Sequence, residues 1–314
     1  MTKPRRHIAG QIALLTRRCS ERRYFLRPDD YINRVAPFEV GKAANKHGQA
    51  VYAAVAMSNH VHFGVGDTTG ERSKFMQDSM SGIARARNCD LKRRGHFWEA
   101  GSYGDTVLLD KDAIERKLLY IWLNPVRAGL VERAEDWPGF IILPRDWGET
   151  ITIDKPGKFY GRKNPDVVEF VPQRPPGYDD MSLQEVKEHF ENLLRTAEDE
   201  IAELRREQGM TCRGARAVEK VDPFSSPDTD TPFRKINPRF ATRDGEVMAS
   251  AKADYRAFCD RYETQRQRWI NSSKKSAKRK KEILFPCGTV WMKRCTPVKC
   301  KAPAPDEPGL LARA

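Results

Sequence analysis

The spacing of apolar residues divides the first half of the chain into alternating strands and helices. Apolar runs with the two-residue period of a strand predict four strands, at residues 11–16, 49–56, 60–65 and 105–109. Spacing near the helical period predicts helices at 28–46 and 71–93. The order β-α-β-β-α-β is that of the ferredoxin-like arrangement, so we predict an α+β fold with an antiparallel sheet.

The second half of the chain has a different pattern. It predicts an amphipathic helix at 182–208, a second helix at 246–270 and a strand at 283–291. Proline-rich stretches at 172–180 and 221–238 indicate extended connections. We therefore divide the chain into a first domain at 1–145, a linker at 146–181, a mostly helical, basic extension at 182–300 and a disordered tail at 301–314.

Two histidines stand one residue apart at the start of the third predicted strand. In the run Met57-Ser58-Asn59-His60-Val61-His62-Phe63, His60 and His62 should point to one face, because side chains alternate along a strand. Val61, Phe63 and Val65 should then point to the other face. Neutral imidazole is a common ligand for divalent metals, so the pair is a candidate for half of a metal site. Solvated or hydrogen-bonded histidines on a half-buried strand are the alternative.

A second motif contains a tyrosine on a predicted helix. Asp112 and Glu115 form a D-x-x-E start signal, and the helix should run to about Asn124, because Pro125 disfavours helical geometry in the residue before it. Buried residues are expected at 114, 118 and 121, and a second face carries Lys117, Tyr120, Asn124 and Arg127. Tyr120 is either part of a polar site or a partly buried aromatic residue with a satisfied hydroxyl.

Together with the segments Gly95–Glu99, Tyr120–Val131 and Asp136–Pro138, these motifs resemble the REP-associated tyrosine transposases. These are single-tyrosine members of the HUH nuclease superfamily, similar to the transposases of the smallest insertion sequences. The resemblance covers roughly residues 5–145, which would make this domain the catalytic one. Several separate blocks agree in order and spacing, so the resemblance does not depend on one short pattern.

The resemblance implies a definite chemistry. His60 and His62 would hold a divalent metal, Mg²⁺ or Mn²⁺, and Asn124 would be a further ligand. Tyr120 would attack a phosphate of single-stranded, hairpin-forming DNA and give a 5′-phosphotyrosine and a free 3′-OH. Two other functions stay open: a domesticated DNA-binding protein or regulator without turnover, and an RNA-binding module on the same type of sheet.

The charge of the chain favours a polyanionic partner. Lys and Arg number 56 against 43 Asp and Glu, a formal net charge of +13, although ribosomal and membrane-surface proteins can also be basic. Phe97 and Trp98 either stack on bases or belong to the core. The candidate DNA contacts are Arg17, Arg18, Arg85, Arg87, Lys92, Arg93, Arg94, Trp98, Lys117 and Arg127. A basic block at 274–281 is either a further DNA contact or a charged tail.

The remaining features concern location and assembly. No 18-residue apolar run is present, so no membrane span is expected, and the N-terminus predicts a strand better than a signal segment. The seven cysteines include no CxxC pair, which favours reduced thiols. We expect a cytoplasmic, nucleoid-associated protein. The helix at 182–208 can pack on the first domain or pair two copies into a homodimer.

Overall fold

A computed structural model describes residues 4–101, 103–157, 159–229, 238–272 and 283–290. The strands are β1 (Gln11–Arg18), β2 (Gln49–Met57), β3 (His60–Asp67), β4 (Gly104–Leu108), β5 (Ile141–Ile142), β6 (Ile151–Asp154), β7 (Val167–Phe170) and β8 (Phe240–Ala241). Six of them form a central sheet in the order β5-β2-β3-β1-β4-β8, and a separate hairpin is formed by β6 and β7. Neighbours in the large sheet are antiparallel, except that β4 and β8 are parallel.

Helices cover both faces of this sheet. The helices are α1 (Ile32–His47), α2 (Arg72–Asp90), α3 (Lys111–Trp122), α4 (Asn124–Arg127), α5 (Leu183–Glu207), α6 (Ala215–Glu219) and α7 (Gly245–Asn271). Helices α1 and α2 share one core with Val61, Phe63 and Val65. Helices α3 and α5 share the other core, on the opposite face. The order of β1 to β4 and the helices between them confirm the predicted α+β, ferredoxin-like arrangement.

Helix α3 packs directly on the backbone of β3. Gly64 lies two residues after His62 and therefore on the same face of the strand. A Cβ added at Gly64 would lie 2.5 Å from Cδ2 of Leu118 and 3.3 Å from Cδ1 of Ile121. Both of these α3 side chains are fully buried. The absence of a side chain at position 64 thus lets the helix approach the strand beside the two histidines.

Helix α5, in the predicted C-terminal extension, packs on α3. The Phe190 ring lies 5.9 Å from that of Trp122 and 5.2 Å from that of Trp147, both edge-on. The Tyr178 hydroxyl donates a hydrogen bond of 2.5 Å to a carboxylate oxygen of Glu115 on α3. Ser182 caps α5 by accepting a hydrogen bond from the backbone N–H of Glu185. Residues of the predicted linker and of the predicted extension thus share a core with the tyrosine helix.

The predicted linker, 146–181, contains the hairpin of β6 and β7. This hairpin packs against α1, where a Cβ added at Gly41 would lie 2.5 Å from Cδ1 of Phe170. Val168 and Phe170 are buried in the core of α1 and α2. Short hairpin strands of this kind carry a weak sequence signal, because four residues give only two inward-facing positions.

Two local predictions are wrong. The N-cap of α3 is Asp110, which accepts a hydrogen bond of 2.7 Å from the backbone N–H of Ala113, whereas Asp112 pairs with Arg116 inside the first turns. Over its described part, 283–290, the predicted strand at 283–291 is replaced by a turn at Cys287 and Gly288 between the isolated bridge residues Phe285 and Thr289. Gly288 has a φ of +84°, and its carbonyl accepts from the N–H of His7 at 2.9 Å. The basic block at 274–281 and the tail at 301–314 lie outside the described residues.

No helix in the described ranges is long and apolar enough to cross a membrane.

The contact at Gly64 can be tested by substitution. Gly64→Ala should lower the free energy of unfolding by about 1–3 kcal/mol, because the new methyl group overlaps the buried Leu118 side chain. Gly161→Ala is the matched control, since a Cβ there meets no atom within 4 Å. Urea unfolding of Gly64→Ala, Leu118→Ala and the double variant should show that the double variant is less destabilised than the sum of the two single variants. Equal stability of Gly64→Ala and Gly161→Ala would contradict this account of the packing.

Candidate active site

The two histidines and the tyrosine lie together on the α3 face of the sheet. The ring centroids of His60 and His62 are 4.8 Å apart, and those of His62 and Tyr120 are 5.3 Å apart at an interplanar angle of 82°. His62 is buried, while His60 and Tyr120 are partly exposed. The tyrosine hydroxyl is therefore carried on a side chain that substrate can reach, next to two imidazoles.

A chain of hydrogen bonds fixes the orientation of His60. The side-chain N–H₂ of Asn59 donates to the carbonyl of Arg22 at 3.1 Å, so its Oδ1 is the atom 2.7 Å from Nδ1 of His60. An oxygen in that position can only accept, and Nδ1 of His60 must carry the proton. The other ring nitrogen, Nε2, is then left with an unprotonated lone pair.

Asn124 is oriented by a second hydrogen bond. Its N–H₂ group donates to the carbonyl of Tyr120 at 3.1 Å, one turn back along the chain. This directs Oδ1 of Asn124 toward Nε2 of His60, at 3.4 Å. Two electron-pair donors, a ring nitrogen and an amide oxygen, therefore face each other in this pocket. Such an arrangement is unfavourable between the two groups alone and favourable around a cation.

Burial keeps both imidazoles neutral. Burial lowers the pKa of His60 from its ordinary 6.5 to about 4; the contact with Asn124 acts in the opposite direction and the Arg18 charge in the same one. Burial, followed by the charges of His60, Arg18 and Lys117, lowers the pKa of His62 well below its ordinary value. Nδ1 of His62 is buried and has no hydrogen-bond partner among the described residues. Neutral rings of this kind are competent metal ligands at neutral pH.

The protein supplies only part of the coordination sphere that a hard divalent cation requires. Two imidazoles and one amide oxygen are available at the site, and in the part of the chain that the structure describes no three or more His, Cys, Asp or Glu side chains are arranged so that they could hold a metal ion by themselves. A metal such as Mg²⁺ keeps several waters or substrate phosphate oxygens in its coordination sphere. The residues present therefore fit a metal that is completed by substrate or by water.

Helix α5 holds the turn that carries Asn124. Pro125 has no N–H, and α3 ends at Trp122 before the short α4 begins. The buried guanidinium of Arg205 on α5 donates to the carbonyl of Val126 at 2.5 Å and to Glu132 at 3.0 Å. A cation at the C-terminal end of a helix satisfies its free carbonyls. The sequence carries no local signal for this contact, because residues 126 and 205 are remote along the chain.

Three of the predicted DNA contacts, Lys117, Arg18 and Arg127, lie near the site. The ammonium of Lys117 lies 5.4 Å from the centroid of the Tyr120 ring, and its pKa is lowered by burial and by the charges of Arg116 and Arg127. Arg18 and Arg127 are exposed. Arg17, in contrast, donates to the carbonyls of Gly101 and Glu99 at 2.7 and 2.9 Å, and so ties β1 to the loop before β4.

The predicted contacts on and after α2 differ among themselves. Arg87 is buried and its guanidinium is held by the Phe25 carbonyl, Asp29 and Asp90, so its position is that of a core residue. Arg93 lies 4.0 Å over the Phe25 ring, and Nε1 of Trp98 donates to the carbonyl of Met80 at 2.8 Å. Phe97 is buried. Exposed side chains are found at Arg85, Lys92 and Arg94.

Comparison with protein-family models gives no match, and neither does comparison with curated proteins. A solved structure described as a REP-associated tyrosine transposase bound to a REP hairpin overlaps 46% of this chain and 85% of its own. Its sequence identity to this chain is 20% and its TM-score is 0.37.

The hydrogen-bond assignment at His60 predicts a specific spectrum. Two-bond ¹⁵N–¹H correlation spectra should show neutral His60 protonated on Nδ1 from pH 7 to about pH 5, with a midpoint near pH 4. Because the unfolded chain binds this proton near pH 6.5 and the folded chain only near pH 4, stability should fall as the pH drops below 6.5. An Nε2-protonated ring, or a midpoint near 6.5, would contradict the assignment.

Proposed function

We propose that this protein is a metal-dependent single-stranded DNA endonuclease and strand transferase that acts through a covalent tyrosine intermediate. The observation that carries the proposal is the convergence of unprotonated Nε2 of His60 on Oδ1 of Asn124, 3.4 Å away, beside the partly exposed Tyr120. Lone pairs directed at one point call for a cation, and a neighbouring hydroxyl supplies a nucleophile.

The protein residues divide the work as follows. His60, His62 and Asn124 would hold Mg²⁺ or Mn²⁺, and the bound metal would stabilise negative charge on the non-bridging oxygens of the scissile phosphate. Tyr120 Oη gives its proton to solvent and forms a bond to phosphorus, and the bond from phosphorus to O3′ breaks. The departing O3′ of the upstream fragment takes up a proton from solvent and becomes a free 3′-OH, while the downstream fragment remains bound to Tyr120 through its 5′-phosphate as a phosphotyrosine.

The surroundings of Tyr120 support a phosphate-bearing substrate. Lys117 is near the ring, Arg18 and Arg127 are exposed, and the chain has a formal net charge of +13. Cations of this kind bind the backbone of nucleic acids without reading sequence. A partner of the hairpin-forming, single-stranded class is consistent with a nucleophile that must reach a phosphate outside a regular duplex. The proposed partners also include a second copy of this chain, in a homodimer.

Covalent capture tests this function. The protein should be incubated with end-labelled, hairpin-forming single strands from both flanks of its own gene, with Mn²⁺ or with chelator, and resolved under denaturing conditions. We expect an adduct that needs the metal and carries the 3′-end label, because the fragment bound through its 5′-phosphate lies downstream of the cut. The adduct should be lost in Tyr120→Phe, because that variant has no Oη to attack the phosphate.

Two controls complete the experiment. Tyr160→Phe removes a buried hydroxyl in the other core, beside α1, and should keep the adduct. Thermal unfolding of Tyr120→Phe should match the wild type, since the ring is retained. An adduct that persists in Tyr120→Phe would show a different nucleophile. Metal-independent binding without any adduct would favour the alternative of a DNA-binding protein without turnover.

A further inference from the structure

Residues 213–229, between α5 and β8, lie along the loop at 20–27. This loop contains Arg22, whose carbonyl orients Asn59 at the site. After α5 the chain turns at Gly209, and the N–H groups of Arg213 and Gly214 donate to the carbonyls of Gly129 and Leu130 at 2.8 and 3.0 Å. Helix α6 follows and buries Val218 in the core of α3. This segment, called the strap below, is thereby anchored beside the turn that follows Asn124.

The strap continues across the loop at 20–27. The N–H of Tyr24 donates to the carbonyl of Ser225 at 3.0 Å, and the rings of Phe25 and Phe224 meet edge-on at 6.1 Å. The Arg22 guanidinium donates to the carbonyl of Thr229 and to its Oγ1. Backbone and side-chain contacts therefore hold the strap and the loop together as one wall.

This wall reaches His60 through two hydrogen bonds. The carbonyl of Arg22 is the acceptor that orients Asn59, and Asn59 orients the ring of His60. Glu21 and Arg22 have φ values of +53° and +56°, a left-handed backbone conformation that residues other than glycine rarely adopt. The loop is thus held in an unfavourable conformation at the point where it meets both the strap and the site.

The strap carries three exposed cations that form no ion pair within the described residues. These are Arg213, Arg216 and Lys220. By comparison, Arg23 in the loop pairs with Glu21 at 2.8 Å, and Arg27 pairs with Asp29 at 3.1 Å. Residues 213–220 contain these three cations and one acid, Glu219, so this part of the strap has a net positive charge, which favours a polyanion. Asp222 and Asp228 lie further along the strap.

An aromatic side chain lies on the loop that contacts the strap. Tyr24, whose N–H donates to the carbonyl of Ser225 in the strap, is partly exposed. Burial raises the pKa of Tyr24, the charges of Arg213 and Arg22 act against that rise, and the charge of Asp228 adds to it. Cations that hold phosphates and a partly exposed ring that can stack on a base are the two components of single-strand binding sites.

We propose that the strap cations Arg213, Arg216 and Lys220, together with Tyr24, bind the single-stranded part of the DNA that enters the Tyr120 site. This inference rests on the proposed function for the direction of the strand, but binding itself requires no cleavage. The C-terminal half of the chain thereby supplies one wall of the substrate path.

Binding should be measured by fluorescence anisotropy in the Tyr120→Phe background, so that covalent chemistry does not contribute. The probes are a hairpin with a single-stranded extension on either side and the same hairpin with blunt ends. The test variant is Arg213→Ala/Arg216→Ala/Lys220→Ala. The matched control is Lys252→Ala/Arg256→Ala/Arg261→Ala, which removes the same charge from exposed positions on α7.

We expect the strap variant to lose about tenfold or more in affinity for the extended hairpins at 0.1 M salt, and the slope of log K against log salt to fall by about 2. The blunt hairpin and the α7 control should change much less. Arg213→Lys/Arg216→Lys should retain the affinity, because the charges remain. Tyr24→Leu should weaken binding about fivefold or more without changing the salt slope, whereas Tyr24→Phe should not.

Equal affinity of the strap variant and the α7 control for the extended hairpins would overturn the proposal. So would an equal loss on the blunt hairpin, which would indicate a duplex surface, or equally tight binding of an RNA of the same sequence through the same residues. A strap-dependent loss of binding in a protein that never forms the tyrosine adduct would uphold this inference and refute the proposed cleavage.

Discussion

The candidate site depends on the direct packing of a helix on the backbone of a strand. Gly64 lets Leu118 and Ile121 approach β3 more closely than any other residue would allow, and Tyr120, the neighbour of Ile121, then lies beside His62. The small residue belongs to the same strand face as the histidines, which are followed by Gly64 and then Gly66. The histidines stand at the start of β3, and glycines follow them on the same face. The helix that carries Tyr120 can therefore approach the strand next to the imidazoles.

Hydrogen bonds from outside the site determine what those imidazoles can do. Arg22 orients Asn59, Asn59 orients His60, and the Tyr120 carbonyl orients Asn124. Together these three bonds leave two lone pairs, on Nε2 of His60 and on Oδ1 of Asn124, that point into the same space. In a buried setting this is an electrostatic arrangement that a cation would stabilise. The elements that maintain it come from both halves of the chain, since Arg205 of α5 holds the turn after Asn124 and residues 222–229 hold the loop that contains Arg22.

The sequence predicts the fold of the first half and the juxtaposition at the site better than it predicts their supports. Period-two alternation placed His60 and His62 on one face and Val61 and Phe63 on the other, and helical spacing placed Tyr120 and Asn124 on a common face. The roles of Asn59 and Gly64 were missed although both lie within or beside the histidine motif. The available signals were an amide immediately before the first histidine and a glycine on the same face of the strand as the histidines.

The contacts of Arg205 and of residues 213–229 join parts of the chain about 80 to 200 residues apart, and no local period encodes such pairs. The N-cap of α3 was misplaced because Asp110 and Asp112 both fit a capping pattern, and only the extended backbone of Asp110 selects between them.

The central claim is that His60 and Asn124 direct their electron pairs at one cation site beside His62 and Tyr120. The most direct measurement is an anomalous difference map from crystals of the full chain soaked in Mn²⁺. We predict a peak about 2.2 Å from Nε2 of His60, within coordination distance of a ring nitrogen of His62 and of Oδ1 of Asn124. Ordered Mn²⁺ at other positions with none at this one, or an Asn124 amide that turns its nitrogen toward His60, would contradict the account.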